Sequence, residues 1–215
     1  VNVQQDQREP VQHFFRQQEL DPPSLFPMVR GRLIAINERS IKSDDFEDSR
    51  ARAMVERETN LSWNADVPQG NTLAQGKWWT EKSKSEIRRS SSPLPIPLPQ
   101  AGEGVKDSLR EFQLNEISLE DGLAKTLGIG VGDMLTYDIA GSEFSGRVVN
   151  LRKVRWDSMQ VNFFVITSPG LLENYSTSYL SSFYLPPDKA RAGDKLLKAF
   201  PNLLVNGATG IVVGM

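Results

Sequence analysis

The sequence predicts an α+β fold, in which a discontinuous α/β subdomain built from both chain ends carries an inserted, mainly β subdomain. Three observations predict it: a strand–helix–strand pattern begins the chain, a counterpart of that pattern ends it, and a helix–turn–strand block lies at residues 116–168 between them. We place the α/β subdomain at residues 1–72 and 161–215 and the β subdomain at residues 73–160.

The first part of the α/β subdomain is predicted from the spacing of its apolar residues. A short strand at residues 1–3 precedes a helix that Asp6 caps and that ends near Gln18. Residues 25–37 alternate between apolar and charged side chains, which predicts a strand. The elements that follow are a charged surface helix at residues 43–58, a short strand at residues 60–63 and a loop at residues 64–76.

The central block begins with an amphipathic helix, predicted over residues 118–127. Ser118 is expected to cap it and Gly128 to end it, because glycine adopts the left-handed backbone of a helix C-terminus without steric cost. Alternation then predicts a hairpin of strands 135–139 and 144–154, the start of a small antiparallel sheet or barrel. Three basic residues of the second strand are expected to face water: Arg147, Arg152 and Lys153.

The last part of the chain is predicted to return to the α/β subdomain. An almost wholly apolar run at residues 161–167 predicts a buried central strand. The elements after it are a strand at residues 177–185, a helix that begins at Asp188 and ends near Phe200, and a closing strand at residues 203–205.

Two adjacent tryptophans, Trp78 and Trp79, leave two interpretations open. In a strand their side chains would point to opposite faces of the sheet. They could form a stacking platform for a ligand or a partner. Alternatively, one could lie in the core while the other covers a sheet edge.

The stretch at residues 80–113 is the least globular part of the sequence and is predicted to be an insertion. It contains PLPIPLP at residues 93–99, and proline at every second position favours polyproline II over helix or sheet. This run is either a ligand for a proline-recognition domain or a spacer with no role in recognition.

The composition narrows the classes of function. A net charge of -2 argues against a general nucleic-acid binder, which needs a basic excess to neutralise phosphates. The absence of cysteine excludes thiol chemistry and a metal site of the zinc-finger type. No apolar run approaches the ~20 residues that a membrane-spanning helix needs.

No catalytic, cofactor-binding or metal-binding residues are predicted. His13, the single histidine, is expected on the solvated face of an amphipathic helix. Residues 128–132 read GIGVG, but they follow a helix, precede a strand and lack the G-K-[ST] ending of a phosphate loop. The acidic pairs at residues 44–45 and 120–121 are helix-start charges rather than dyads, because adjacent helical residues do not face each other.

Six segments carry a resemblance to a known family: MVRGRLIAIN (28–37), RARAMVERETNLSW (50–63), GKWW (76–79), ISLEDGLAKTLGIGVGDMLTYDIAG (117–141), VRWDSMQVNFFVI (154–166) and FPNLLV (200–205). In this order they resemble the periplasmic domain of a bacterial ABC exporter permease of the FtsX/MacB-like superfamily. They are similar in particular to the permease encoded beside a periplasmic lysophospholipase/thioesterase. The stretch at 80–113 and the end after Val205 depart from the family pattern.

The resemblance implies a MacB-like periplasmic core domain, in which the α/β part is porter-like and the inserted β part is sabre-like. It implies a non-catalytic periplasmic domain of an inner-membrane protein. Such a domain relays ATP-driven motion (mechanotransmission), contacts a hydrophobic or lipid-like substrate, or binds a periplasmic partner. The implied partners are a cytoplasmic ATP-binding subunit reached through membrane helices outside these residues, a second permease copy and a periplasmic lysophospholipase/thioesterase. No cofactor and no nucleic acid are implied.

Two other functions stay open. A soluble periplasmic binding or adaptor module would carry a signal peptide and no second membrane helix. A hydrolase of the esterase type would need a base beside a serine, and His13 is the histidine available for that role.

Overall fold

The structure, a computed structural model, describes residues 2–79, 115–158, 160–183, 185, 187–189 and 191–200. It has a mixed α/β fold with a sheet-rich core and few helices. The predicted insertion at residues 80–113, with its proline run, and the predicted closing strand at residues 203–205 lie outside the described residues.

The elements follow one another as β1 (Asn2–Val3), α1 (Arg8–Gln17), β2 (Phe26–Ile36), β3 (Arg39–Ser40), α2 (Ser49–Glu56), β4 (Thr59–Trp63), β5 (Asn71–Gly76), β6 (Glu116–Glu120), α3 (Asp121–Leu127), β7 (Met134–Ile139), β8 (Ser142–Val154), β9 (Val165–Thr167), β10 (Ser178–Leu180) and α4 (Arg191–Ala199). Short 3₁₀ turns lie at Gln5–Gln7, Ser43–Asp45 and Pro187–Lys189.

The chain divides into two compact units, of which the first contains residues 1–28, 156–161 and 176–215. In this unit β10 pairs antiparallel with β1 and with the first residues of β2. The helical spacing of apolar residues in α1 places one of its sides in a core with these strands and α4. The buried members of that core are Val3, Val11, Phe15, Tyr179 and Leu196.

The second unit contains residues 29–155 and 162–175, and six of the strands described in it close into a ring. β2 pairs with β4, β4 with β9, β9 with β6, β6 with β8 and β8 with β7, and β7 returns to β2. One path from β2 to β8 crosses a single strand and the other crosses three. Because neighbouring strands lie about 4.8 Å apart, two such unequal paths cannot lie in one flat sheet, so the sheet curves round its core.

The ring encloses the larger hydrophobic core. Side chains at alternate strand positions point inward, as the two-residue repeat of a strand requires. Helices α2 and α3 add their apolar sides to the same core. Its fully buried members include Leu61, Ile117, Leu119, Leu135, Val148 and Val165. Burial of each such side chain stabilises the fold by about 1.5–3 kcal/mol relative to exposure.

Local sequence signals predicted two turns of this unit correctly. Gly128 ends α3 in the left-handed conformation, with φ 69°. The hairpin between β7 and β8 turns through Ala140 and Gly141, both with positive φ, and pairs Ile139 with Ser142. Two-residue turns of this kind match the right-handed twist of the strands that they join.

The predicted start of the central helix is wrong. Ser118 lies in β6, and α3 begins at Asp121 with Glu120 as its N-cap, whose carboxylate accepts a hydrogen bond from the Leu123 N–H at 2.6 Å. The reason is tertiary: β6 pairs with β8 on one side and with β9 on the other, and this pairing continues the extended backbone through Ser118.

Other predicted elements differ mainly in extent. The predicted loop at residues 64–76 contains β5, which forms because the edge of β8 offers it a pairing partner. The helix predicted to begin at Asp6 begins at Arg8, after a 3₁₀ turn. Three other elements are shorter than predicted: the helix at 43–58 is reduced to α2 and a 3₁₀ turn, and the strands at 161–167 and 177–185 are reduced to β9 and β10.

Candidate functional site

A set of polar side chains lies buried on the face of β6 and β8 that points away from the core. Leu119 and Leu151 belong to the core, so their strand neighbours point to the opposite face. This cluster, which we call the Arg152 cluster, consists of Asn71, Ser118, Glu120, Asn150 and Arg152. Ser118, Asn150 and Arg152 are fully buried, and the other two are nearly so.

A β-bulge in β8 puts two of these residues on this face. Ile117 pairs with Val148, but the next residue of β6, Ser118, pairs with Asn150, so Val149 is one extra residue in β8. Without it, Asn150 would share the core-facing side of Val148. The bulge therefore moves Asn150 and Arg152 to the outer face, where the register sets Arg152 beside Glu120.

Arg152 donates four hydrogen bonds from its guanidinium. Nε donates to the Ser118 hydroxyl at 2.8 Å, and Nη1 donates to Asn71 Oδ1 at 2.7 Å. Nη2 donates to the carbonyl oxygens of Phe163 at 2.8 Å and Phe164 at 3.1 Å. The planar fork of the guanidinium allows one side chain to reach three separate stretches of chain at once.

Two further chains of hydrogen bonds extend from the Arg152 cluster. The Ser118 hydroxyl donates to Asn150 Oδ1 at 2.5 Å, and Asn150 Nδ2 donates to the Lys77 carbonyl at 3.1 Å. Asn71 Nδ2 donates to Asn162 Oδ1 at 2.8 Å. The cluster thus connects β5, β6, β8 and the segment before β9 through side-chain hydrogen bonds.

The electrostatics of the cluster follow from burial. Desolvation lowers the pKa of Arg152 to about 10, and the negative charge of Glu120 acts in the opposite direction. Guanidinium groups in proteins stay protonated at neutral pH, so Arg152 is a buried cation. It is stabilised by four acceptors and a nearby carboxylate, which is the condition under which a buried charge is tolerated.

This arrangement suits a structural role better than a catalytic one. Ser118 is hydrogen-bonded to Arg152 and Asn150, and all three side chains are fully buried, so no substrate reaches the hydroxyl in this conformation. Glu120 uses one carboxylate oxygen to cap α3. What the cluster does chemically is to satisfy buried donors and acceptors across four stretches of the chain.

Among the residues weighed for chemistry in the sequence, Glu120 belongs to the Arg152 cluster and the others lie outside it. His13 is exposed on α1, in agreement with the predicted solvated helix face. Its Nε2 forms a hydrogen bond with Gln17 Nε2 at 2.9 Å. Asp121 is a helix-start charge as predicted and forms an ion pair with Lys125 at 2.5 Å. The glycines at 128–132 end α3 and lead into β7, in agreement with the rejection of a phosphate loop.

The adjacent tryptophans do not lie in a strand, so the two opposite faces of a sheet are not open to them. β5 ends at Gly76, and the rings of Trp78 and Trp79 stack on each other with centroids 3.8 Å apart. Trp79 is buried, and Trp78 is half-buried. Both indole N–H groups donate inward to backbone carbonyls of residues 64–65, which favours the structural interpretation over a ligand platform.

Sequence reasoning missed the Arg152 cluster because it placed Arg152 in water. That prediction is wrong, since Arg152 is fully buried. One sequence signal pointed to a buried polar layer: Asn150 and Arg152 flank Leu151 in a strand of apolar residues. Its partners could not be inferred, because Asn71 was assigned to a loop and Ser118 to a helix.

The chain is similar in sequence to the uncharacterised ABC transporter permease YbbP of Escherichia coli (strain K12). The two are 30% identical over 183 residues, which cover 85% of this chain. The chain resembles part of an ABC transporter permease. It spans 18% of the length of that permease. No model of a known protein family matches the chain.

A structural comparison finds a solved domain from a Porphyromonas gingivalis protein provisionally named a permease. The two share 12% sequence identity, and the superposition covers 82% of this chain and 63% of that one with a TM-score of 0.32. A TM-score this low does not establish a shared fold. The similarity to an ABC transporter permease therefore depends on the sequence match alone.

Within the described residues, none of the helices is long and apolar enough to cross a membrane. Within the same residues, no group of three or more histidine, aspartate or glutamate side chains is placed to hold a metal ion.

Proposed function

We propose that the chain is a non-catalytic, extracytoplasmic domain of a bacterial ABC transporter permease and lies on the periplasmic side of the inner membrane. The observation that carries the proposal is the 183-residue match to an ABC transporter permease at 30% identity. The six sequence segments that resemble the periplasmic domains of FtsX/MacB-like permeases agree with it. The proposal includes a division into two subdomains: a porter-like one at residues 1–72 and 161–215, and a sabre-like one at residues 73–160.

Within the transporter, the domain relays ATP-driven motion or contacts a hydrophobic or lipid-like substrate or a periplasmic partner. A closed ring with a buried polar cluster suits a part that must pass on movement without deforming. The proposed partners are an ATP-binding subunit, a second permease copy and a periplasmic lysophospholipase/thioesterase. ATP hydrolysis then belongs to a different subunit, in keeping with the non-catalytic character of the Arg152 cluster.

The location is tested by cysteine labelling in the full-length protein, because this chain contains no cysteine of its own. Ser142 is exposed beside the β7–β8 turn, so Ser142→Cys provides an accessible thiol. Any cysteine elsewhere in the reading frame is replaced by serine. In intact spheroplasts, a membrane-impermeant maleimide should label Ser142→Cys. Val148→Cys, which is buried in the core, should react only after denaturation.

The outcomes separate the alternatives. Labelling of Ser142→Cys only after the inner membrane is broken would rule out an extracytoplasmic domain. Release of the protein into the periplasmic fraction when the spheroplasts are made would instead support a soluble periplasmic binding or adaptor module. Labelling with retention in the membrane fraction is the expected result. A relay further predicts that the labelling rate differs between the ATP-bound and nucleotide-free transporter.

A further inference from the structure

The segment Asn162–Phe164 leads into β9 without regular secondary structure, and a side chain bonds its carbonyl groups. Arg152 Nη2 donates to the carbonyl oxygens of both Phe163 and Phe164. In a sheet, buried carbonyls of this kind are satisfied by the N–H groups of a neighbouring strand. For the Phe163 carbonyl the guanidinium of Arg152 takes the place of such a strand, and for the Phe164 carbonyl it adds a second donor.

The same segment is held at two further points that lie beside the guanidinium. The carbonyl of Phe164 also accepts from the backbone N–H of Glu120 at 2.8 Å. The Asn162 side chain accepts from Asn71, which itself accepts from Arg152 Nη1. The guanidinium therefore shares a hydrogen-bonding group with each of these two contacts.

The segment Asn162–Phe164 lies where the chain returns to the second unit. The chain leaves the second unit after Arg155 and returns to it at Asn162. Arg152 lies just before the departure, and it bonds residues just after the return. Its hydrogen bonds therefore join β8 to the first residues after the return, all within the second unit.

A buried cation is not the kind of side chain that would make this position most stable. Replacing buried ionic groups with apolar residues of similar size is often neutral or stabilising, whereas removing one partner from an existing set is costly. The guanidinium differs from an apolar side chain in that it fixes one arrangement of its acceptors. A residue of this kind defines where a segment lies, and its loss frees that segment.

We propose that Arg152 is a latch that fixes the segment Asn162–Phe164 on β5 and β6, and that this segment and β9 open locally when the latch is broken while the rest of the ring stays folded. The inference goes beyond the proposed function and does not depend on it. It concerns contacts within the second unit, so it can be tested on the 215-residue chain in solution.

The test is amide hydrogen exchange of the wild-type chain, Arg152→Lys, Arg152→Met and the control Lys153→Met. Lys153 is exposed and adjacent in the same strand. In Arg152→Lys the positive charge beside Glu120 remains. A single ammonium group cannot make the hydrogen bonds that the three nitrogens of the planar guanidinium make. The amides of Glu120 and of Val165–Thr167 should then exchange about tenfold faster or more, with little dependence on denaturant, as for a local opening. Arg152→Met should show a larger effect at the same amides, and Lys153→Met none.

The amides of β7 provide the internal reference, because β7 lies in the same ring and does not pair with β6 or β9. They should keep wild-type exchange in Arg152→Lys. Equal acceleration in β7 and β9 would mean that the substitution lowers global stability, and the latch would be refuted. If all amides of Arg152→Lys exchange at the wild-type rate, the guanidinium hydrogen bonds do not fix the segment, and the proposal is refuted. If Arg152→Met does not fold, Arg152→Lys decides the question alone.

Discussion

Ser118 and Asn150 face each other across the parallel strands β6 and β8, and the Ser118 hydroxyl donates a 2.5 Å hydrogen bond to Asn150 Oδ1. The same hydroxyl accepts from Arg152 Nε. Ser118 is thus the link between the guanidinium and the side chain that holds the Lys77 carbonyl. Because all three linked side chains are fully buried, water cannot replace a lost bond without entering the structure.

Ser118→Ala is expected to destabilise the chain. The substitution leaves Arg152 Nε and Asn150 Oδ1 without this partner, and a buried polar group left unsatisfied costs about 1–3 kcal/mol. Urea unfolding at neutral pH measures the change. Ser145→Ala is the matched control, since Ser145 also bonds a side chain, Thr136, but is exposed. A Ser118→Ala variant as stable as Ser145→Ala would show that the cluster contributes little to stability.

Gly76→Ala is expected to disrupt the junction of β5 with β8. Gly76 has φ +76°, and an added Cβ would lie 2.1 Å from the Val149 carbonyl oxygen and 2.8 Å from the Asn150 Cα. These are backbone atoms, so the strands must separate or the chain after β5 must move. The left-handed backbone alone costs a non-glycine residue about 1–2 kcal/mol, and the collision adds to that cost.

Gly141→Ala separates the two contributions to the Gly76 effect. Gly141 has φ +86° in the β7–β8 turn, and an added Cβ meets nothing within 4 Å. Its alanine variant should lose only the conformational part, about 1–2 kcal/mol. Thermal unfolding of both variants gives the comparison. Equal losses would contradict the close approach of β5 and β8 at Gly76.

Structural features that depend on residues a few positions apart could be predicted from the sequence. The helix stop at Gly128 and the turn at Ala140–Gly141 each depend on local backbone preferences, and both are where the sequence placed them. The strands on either side of that turn follow from alternation. In each of these cases the residues that decide the conformation are neighbours in sequence.

Features that depend on distant partners could not be predicted. β5 has few apolar residues and forms because β8 pairs with it from about 80 positions away. The burial of Arg152 depends on an unpaired Val149, which no local pattern shows. Once the bulge turns Arg152 away from the core, its acceptors come from β5, β6 and the segment before β9, each placed by separate pairings.

The stacked tryptophans are expected to contribute to stability rather than to ligand binding. Trp79 Nε1 lies 2.9 Å from the Asn64 carbonyl oxygen and 3.1 Å from that of Ala65. Trp79→Phe keeps an aromatic ring but removes the donor, so the free energy of unfolding should fall by about 1–3 kcal/mol. Urea unfolding tests this. Trp156→Phe, at a side chain that is 49% exposed, should change it less than Trp79→Phe does. Equal effects would contradict the structural interpretation.

Alkaline pH should destabilise the chain through Tyr137, which lies in the ring core. Burial raises the pKa of Tyr137 above its ordinary value of 10.0. The unfolded chain therefore loses this proton near pH 10 while the folded chain keeps it. Stability falls wherever the unfolded state binds fewer protons, so the contribution of Tyr137 is complete below pH 10 and is lost progressively above it.

The comparison of wild type with Tyr137→Phe isolates this effect. Phenylalanine fills nearly the same space and does not ionise, and the lowered pKa of Arg152, which acts in the opposite sense, is common to both proteins. Between pH 10 and 11.5 the wild type should lose up to about 1.4 kcal/mol per pH unit relative to the variant. Urea unfolding at pH 9, 10, 11 and 11.5 measures it. Parallel pH profiles would mean that Tyr137 ionises as readily in the folded chain as in the unfolded one.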